Sequence, residues 1–126
     1  MILVHGGGWK SGNKFLMEPI AQHIASKGYA CFSVEYRLSA EAIFPAGIYD
    51  IKNAIQFVKE NAKDFNVDTS KVAILGCSSG GQMAALIGTT NYSPAFEDSN
   101  VKCNQTASVQ AIIDIDGVLA FKHPQS

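Results

Sequence analysis

Short apolar runs alternate with amphipathic stretches along this chain, and the period of each predicts an element. Ile2-Leu3-Val4 is an apolar run that stops at three glycines, as a strand entering a turn would. From 17 to 27, apolar residues at Met17, Ile20, Ala21, Ile24 and Ala25 follow helical spacing, and Gly28 closes that helix. Residues 29–36 are apolar at nearly every position and read as a second strand. Pro45 opens a long helix with an apolar stripe at Ile48, Ile51, Ala54, Ile55, Val58 and Ala62. Asp50, Lys52, Asn53, Lys59 and Glu60 make its other, solvated face. After a turn at Asp68-Thr69-Ser70, residues 72–75 form a third strand. Residues 80–89 form a helix with almost no polar face, hence a buried one. Residues 91–106 are polar, contain Pro94 and read as a long surface loop, and residues 109–115 are a fourth strand ending at Asp116-Gly117.

The order is therefore β-α-β-α-β-α-β, with strands too apolar to keep one face wet. That predicts an α/β fold with a parallel sheet covered by helices on both sides. Four strands make a small sheet of this kind, and its edge strands would be long, apolar and unpaired, which proteins normally avoid. The expectation is a portion of a larger sheet.

Composition narrows the function classes. The 126 residues are 47% hydrophobic and 17% charged, which suits one globular unit rather than a disordered tail. Ten basic and eleven acidic residues leave a net charge of −1, so long-range attraction to nucleic acid or anionic membranes has little to act through. No apolar run approaches the ~18 residues of a membrane span. The three cysteines, Cys31, Cys77 and Cys103, have neither disulfide-framework nor zinc-site spacing and read as reduced thiols.

Leu75-Gly76-Cys77-Ser78-Ser79-Gly80-Gly81 joins the third strand to the buried helix. Three of these side chains are potential nucleophiles. A nucleophile on a sharp strand-to-helix turn needs very small residues two before and two after it, because the backbone folds back on itself there. Ser78 has Gly76 and Gly80 in those places. Ser79 has Cys77 and Gly81, and Cys77 has Leu75 and Ser79, so only Ser78 fits. The turn also sets Ser78 at a helix N-terminus, which favours developing negative charge, with the Ser79 N–H as one donor. A Ser/Gly-rich connection with a helix N-cap is the plainer alternative for this segment alone.

His5-Gly6-Gly7-Gly8-Trp9 answers a second need of acyl chemistry, preorganised N–H donors for an oxyanion, each worth roughly 3 kcal/mol of barrier. The rival use of such a loop is phosphate binding. A P-loop counted from Gly7 reaches Gly12, but Asn13 replaces the lysine; a dinucleotide fingerprint lacks its third glycine, since position 11 is Ser. His5 precedes the glycines and reads as a structural histidine bonding the loop rather than as a base.

Together these sites resemble the α/β-hydrolase fold, and more closely the hormone-sensitive-lipase-like esterases and their acetyl-esterase and feruloyl-esterase-like neighbours among bacterial carbohydrate esterases. The residues that carry the resemblance are His5-Gly6-Gly7-Gly8-Trp9, Tyr36-Arg37-Leu38-Ser39, Phe44-Pro45-Ala46 with Asp50, and Gly76-Cys77-Ser78-Ser79-Gly80-Gly81. Ser39-Ala40-Glu41 and Asp114-Ile115-Asp116-Gly117 lean toward the acetyl-esterase branch. The resemblance implies Ser78 as the nucleophile, an oxyanion hole from the N–H groups of Gly7, Gly8 and Ser79, and a structural ion pair between Arg37 and Asp50.

In such families the acid and histidine follow the serine in that order. The candidates after Ser78 are Asp114, Asp116 and His123; Asp116 at a strand end is a weak acid candidate, and His123 in a polar tail a poor base. The resemblance instead implies a partial α/β-hydrolase domain over residues 1–126, truncated at both ends, with acid and histidine elsewhere. On that reading the whole protein is a serine ester hydrolase acting through an acyl-enzyme, with no metal or organic cofactor needed, on short acyl, acetyl or feruloyl esters, including acylated polysaccharide, and this chain alone is nearly inert and poorly soluble. The alternative is a ligand-binding protein that kept the fold without the chemistry. Localisation, oligomeric state and acyl-chain length are not legible in these residues.

Overall fold

The computed structural model describes residues 1–100 and 102–121. Four strands, β1 (Ile2–Val4), β2 (Phe32–Val34), β3 (Ala73–Cys77) and β4 (Ala111–Ile115), form one parallel sheet in the order β2-β1-β3-β4. The helices are α1 (Glu18–Ala25), α2 (Ala46–Glu60), the single turn α3 (Ala62–Phe65) and α4 (Ser79–Thr89). This is the parallel sheet with flanking helices that the alternating pattern predicts.

Side-chain alternation divides the core. Ile2, Val4, Val34 and Ile74 pack with Ile48, Ile51 and Ile55 of α2 and Met83, Ala84 and Ile87 of α4. Leu3 and Leu75 point the other way, to Met17 and the partly buried Ile20, Ala21 and Ile24 of α1. The chain leaves β1 for β2 on one side and returns to β3 on the other. The carboxyl ends of β1 and β3 therefore flank the point where strand order reverses, the usual crevice for ligands in open parallel sheets.

Two expectations change. The second strand is three residues rather than eight, because its ladder partner β1 supplies only Ile2, Leu3 and Val4. The fourth starts at Ala111 rather than at 109, since the Asn91 side-chain amide takes both backbone groups of Val109: Nδ2 donates to its carbonyl at 2.8 Å and Oδ1 accepts its N–H at 3.1 Å.

The larger correction concerns α2. Lys52 and Lys59, expected on a solvated face, are 1% and 4% exposed. The segment after α4 folds back over them. Lys52 Nζ donates to the Thr90 carbonyl at 3.4 Å and pairs with Glu97 at 3.3 Å. Asn53 reaches Asp98, and Gln56 reaches the Gln105 carbonyl. Lys59 Nζ donates to the Ser108 carbonyl at 2.7 Å, to Ser108 Oγ at 3.2 Å and to Thr106 Oγ1 at 3.4 Å. The Cys103 thiol donates to Glu60 at 3.0 Å. What reads as a solvated stripe is a polar seam that holds down residues 90–98 and 103–108.

Candidate active site

At the end of β3 the backbone of Ser78 takes φ +54°, ψ −119°, a conformation an L-residue adopts only when its surroundings enforce it. The enforcement is visible. A Cβ at Gly76 would run into the carbonyl of Gly80, and one at Gly80 into the carbonyls of Val4 and His5. The turn is held from the sheet as well, where the Ser78 N–H donates to the Ile115 carbonyl at 2.8 Å. Helix α4 starts at once, with the Gln82 N–H donating to the Ser78 carbonyl at 3.1 Å.

Of the three nucleophile candidates, Ser78 is exposed, Cys77 is half-buried and Ser79 is 2% exposed. Burial pushes the Cys77 thiol up from its ordinary value, away from the reactive thiolate. The Ser78 hydroxyl makes no capping bond to α4.

The glycine loop lies against this elbow. A Cβ at Gly6 would stand 2.8 Å from the Cys77 carbonyl oxygen and 3.2 Å from Ser78 Cβ. Gly7 and Gly8 have φ +130° and +61°. The Gly7 carbonyl turns away to accept the Lys10 and Ser11 N–H groups and the Ser11 hydroxyl. Among the described residues no backbone carbonyl takes the N–H of Gly7, Gly8 or Ser79. Trp9 closes the loop over α4, its Nε1–H donating to Gln82 Oε1 at 3.2 Å.

His5 is fully buried and stacked on Tyr36, with ring centroids 4.4 Å apart and planes at 14°. Its Nδ1 lies 2.8 Å from the Gly6 carbonyl, which can only accept, so Nδ1 carries a proton. The Tyr36 hydroxyl donates to the His5 carbonyl at 2.9 Å. Burial pushes the Tyr36 phenol up from its ordinary value, and the neighbouring Ser79 hydroxyl partly offsets this. His5 Nε2 and Ser79 Oγ, both buried, have no well-formed hydrogen bond among the described residues.

Arg37 and Asp50 meet as a fork. Nε lies 2.9–3.1 Å from both carboxylate oxygens, Nη2 2.9 Å from Oδ1, and the Arg37 backbone N–H donates to Oδ2 at 2.7 Å. The carboxylate thus grips the main chain after β2 as well as the guanidinium. Asp114 accepts the Gly117 N–H at 2.8 Å, and Asp116 is exposed at φ +58°. His123 lies outside the described residues. Among those residues no three His, Cys, Asp or Glu side chains gather as metal ligands, no helix is long and apolar enough to cross a membrane, and all three cysteines are free.

A cavity of about 500 Å³ opens between Trp9 and α4, walled by Trp9, Tyr36, Phe44, Gln82, Met83 and Leu86 among others. Sequence reasoning did not single out Tyr36, Trp9 or Gln82 individually. Gln82 had one available signal, its position a helical turn after Ser78.

The parallel sheet, the strained serine at its strand-to-helix turn and the glycine loop beside it have the architecture of an α/β-hydrolase. The BD-FAE family model matches residues 1–126, and the chain belongs to that family. It is 32% identical over 118 residues to esterase LipC of Mycobacterium tuberculosis, covering 93% of this chain and 29% of that protein. A bifunctional GH43-CE protein of Bacteroides eggerthii superposes with a TM-score of 0.82 at 34% identity, over 92% of this chain and 16% of the other. Esterase Est2 of Thermogutta terrifontis with propionate bound gives a TM-score of 0.84 at 26% identity, over 98% of this chain and 45% of the other. The chain thus spans about 29% of the length of LipC.

Proposed function

We propose that the protein carrying these residues is a serine carboxyl-ester hydrolase in which Ser78 is the nucleophile. The Ser78 oxygen attacks the ester carbonyl carbon while its proton passes to a general base. The oxyanion that forms is met by the N–H groups of Gly7, Gly8 and Ser79. The carbonyl is then restored, the C–O bond to the alcohol breaks, and the alcohol leaves with a proton. Water hydrolyses the acyl-serine by the same route in reverse. Residues 1–126 are read as part of the α/β-hydrolase domain, with the acid and histidine supplied from elsewhere in the whole protein. Without them these residues alone should turn over esters several orders of magnitude more slowly.

The observation that carries the reading is an exposed serine at φ +54° whose elbow abuts a glycine loop with N–H groups unclaimed by backbone carbonyls. Short acyl esters are the proposed substrates, including acetyl or feruloyl groups on polysaccharide. Support comes from the propionate-bound esterase, from the likeness to the GH43-CE protein and from the apolar cavity between Trp9 and α4.

The test is Ser78→Ala in the full-length protein, assayed with p-nitrophenyl acetate and butyrate. A fall in kcat of about 10⁴-fold or more is expected. Activity kept within tenfold of the parent would exclude Ser78 as the nucleophile. A full-length parent with no ester turnover would instead favour the ligand-binding alternative.

A further inference from the structure

We infer that Tyr36 is a positioning residue for the oxyanion donors, joining the glycine loop to the serine elbow through a hydroxyl bond to the His5 carbonyl. The inference rests on the reading of Gly7, Gly8 and Ser79 as those donors. Three contacts converge on the segment after β2. The Tyr36 hydroxyl holds the His5 carbonyl at 2.9 Å, immediately before the glycines. The Ser39 N–H holds the Trp9 carbonyl at 2.8 Å, immediately after them. Asp50 grips the Arg37 backbone N–H between those two points. The loop is therefore bracketed at both ends by one anchored segment.

The His5 carbonyl is also where loop and elbow touch, since it stands against Gly80 where a Cβ would collide. Tyr36 thus bonds the very peptide on which the elbow rests. It is 5% exposed and stacked on the His5 ring, so its hydroxyl has little freedom to swing away. The loop glycines have no side chains to hold their own position. The spacing between the N–H groups of Gly7 and Gly8 and that of Ser79 therefore depends on this hydroxyl, together with the packing of Gly6 and Gly80 at the same junction. Donors aimed at a developing charge lose their effect over small displacements, and misplacement by about 1 Å can cost on the order of 100-fold in rate.

The test is Tyr36→Phe in the full-length protein, which removes the hydroxyl and keeps the ring stack. Expected are a fall in kcat of roughly 10- to 100-fold with KM within about twofold, and shifted Gly7 and Gly8 amide resonances in ¹⁵N-glycine-labelled protein. A purely structural role would lower the melting temperature and leave kcat of the folded fraction unchanged. Unchanged kcat, or unmoved glycine resonances, overturns the proposal. Tyr36→Leu, which also loses the stack, serves as the second variant and should show the same resonance shifts or larger ones. If Ser78→Ala proves fully active, the nucleophile reading fails, and the glycine resonances still decide whether Tyr36 positions the loop.

Discussion

Alternate residues of β1 and β3 enter two different environments. Ile2, Val4 and Ile74 enter a cluster of 15 buried side chains under α2 and α4. Leu3 and Leu75 enter one whose only other buried member among the described residues is Met17, beneath an α1 that has no buried residue of its own. On that second face Ile113 and Ile115, in register with Leu75 and Cys77, remain 40% and 43% exposed. The elbow belongs to the first face. Gly80 sits on the β1 carbonyls, and Gly81 and Gly88 let α4 close onto Asp114 and Ile112 of β4. An unfavourable backbone geometry at Ser78 persists where packing over-determines it, and here the close contacts of Gly76 and Gly80 on the α4 face do so.

Mutations that separate the faces sharpen this contrast. Ile74→Ala, fully buried on the α4 face, should cost about 3 kcal/mol in denaturant unfolding. Gly80→Ala should cost about 2 kcal/mol, since its Cβ meets backbone that cannot step aside, and should lower ester turnover as the elbow shifts. Ile113→Thr on the open face should change stability by only about 0.5 kcal/mol. Equal losses for Ile74→Ala and Ile113→Thr would break the comparison.

The smallest effect is a pH slope. Burial lowers the Lys59 ammonium below its ordinary value, so between the folded and unfolded values the unfolded chain binds more protons. Stability from this group therefore rises with pH through the folded value, up to about pH 10.4. Tyr36, raised by burial, acts oppositely above about pH 10. Tyr36 is common to the parent and Lys59→Met, so the difference between their unfolding curves isolates the lysine. The parent should gain on the variant as pH rises; a constant gap would contradict a desolvated amine.

Much of the site is legible locally. Which serine occupies the elbow follows from glycines two residues away on either side, because the turn that needs them is itself local. The four strands and their order of appearance follow from apolar runs. Strand length does not, since β2 is cut to three residues by a partner 30 positions away. Nor does the fate of Lys52 and Lys59. Their spacing along α2 is the same whether water or the carbonyls of Thr90 and Ser108 cover them, and those carbonyls lie 38 and 49 residues on. Tyr36 reads as one more apolar strand residue because the acceptor of its hydroxyl is 31 residues back.

The most direct test of Ser78 as the nucleophile is the mass of a covalent adduct. Full-length protein treated with a fluorophosphonate and digested should carry the phosphonyl group on the peptide containing Ser78, with fragment ions placing it on that residue. An adduct on Ser79 or elsewhere, with Ser78 unmodified, would contradict the account.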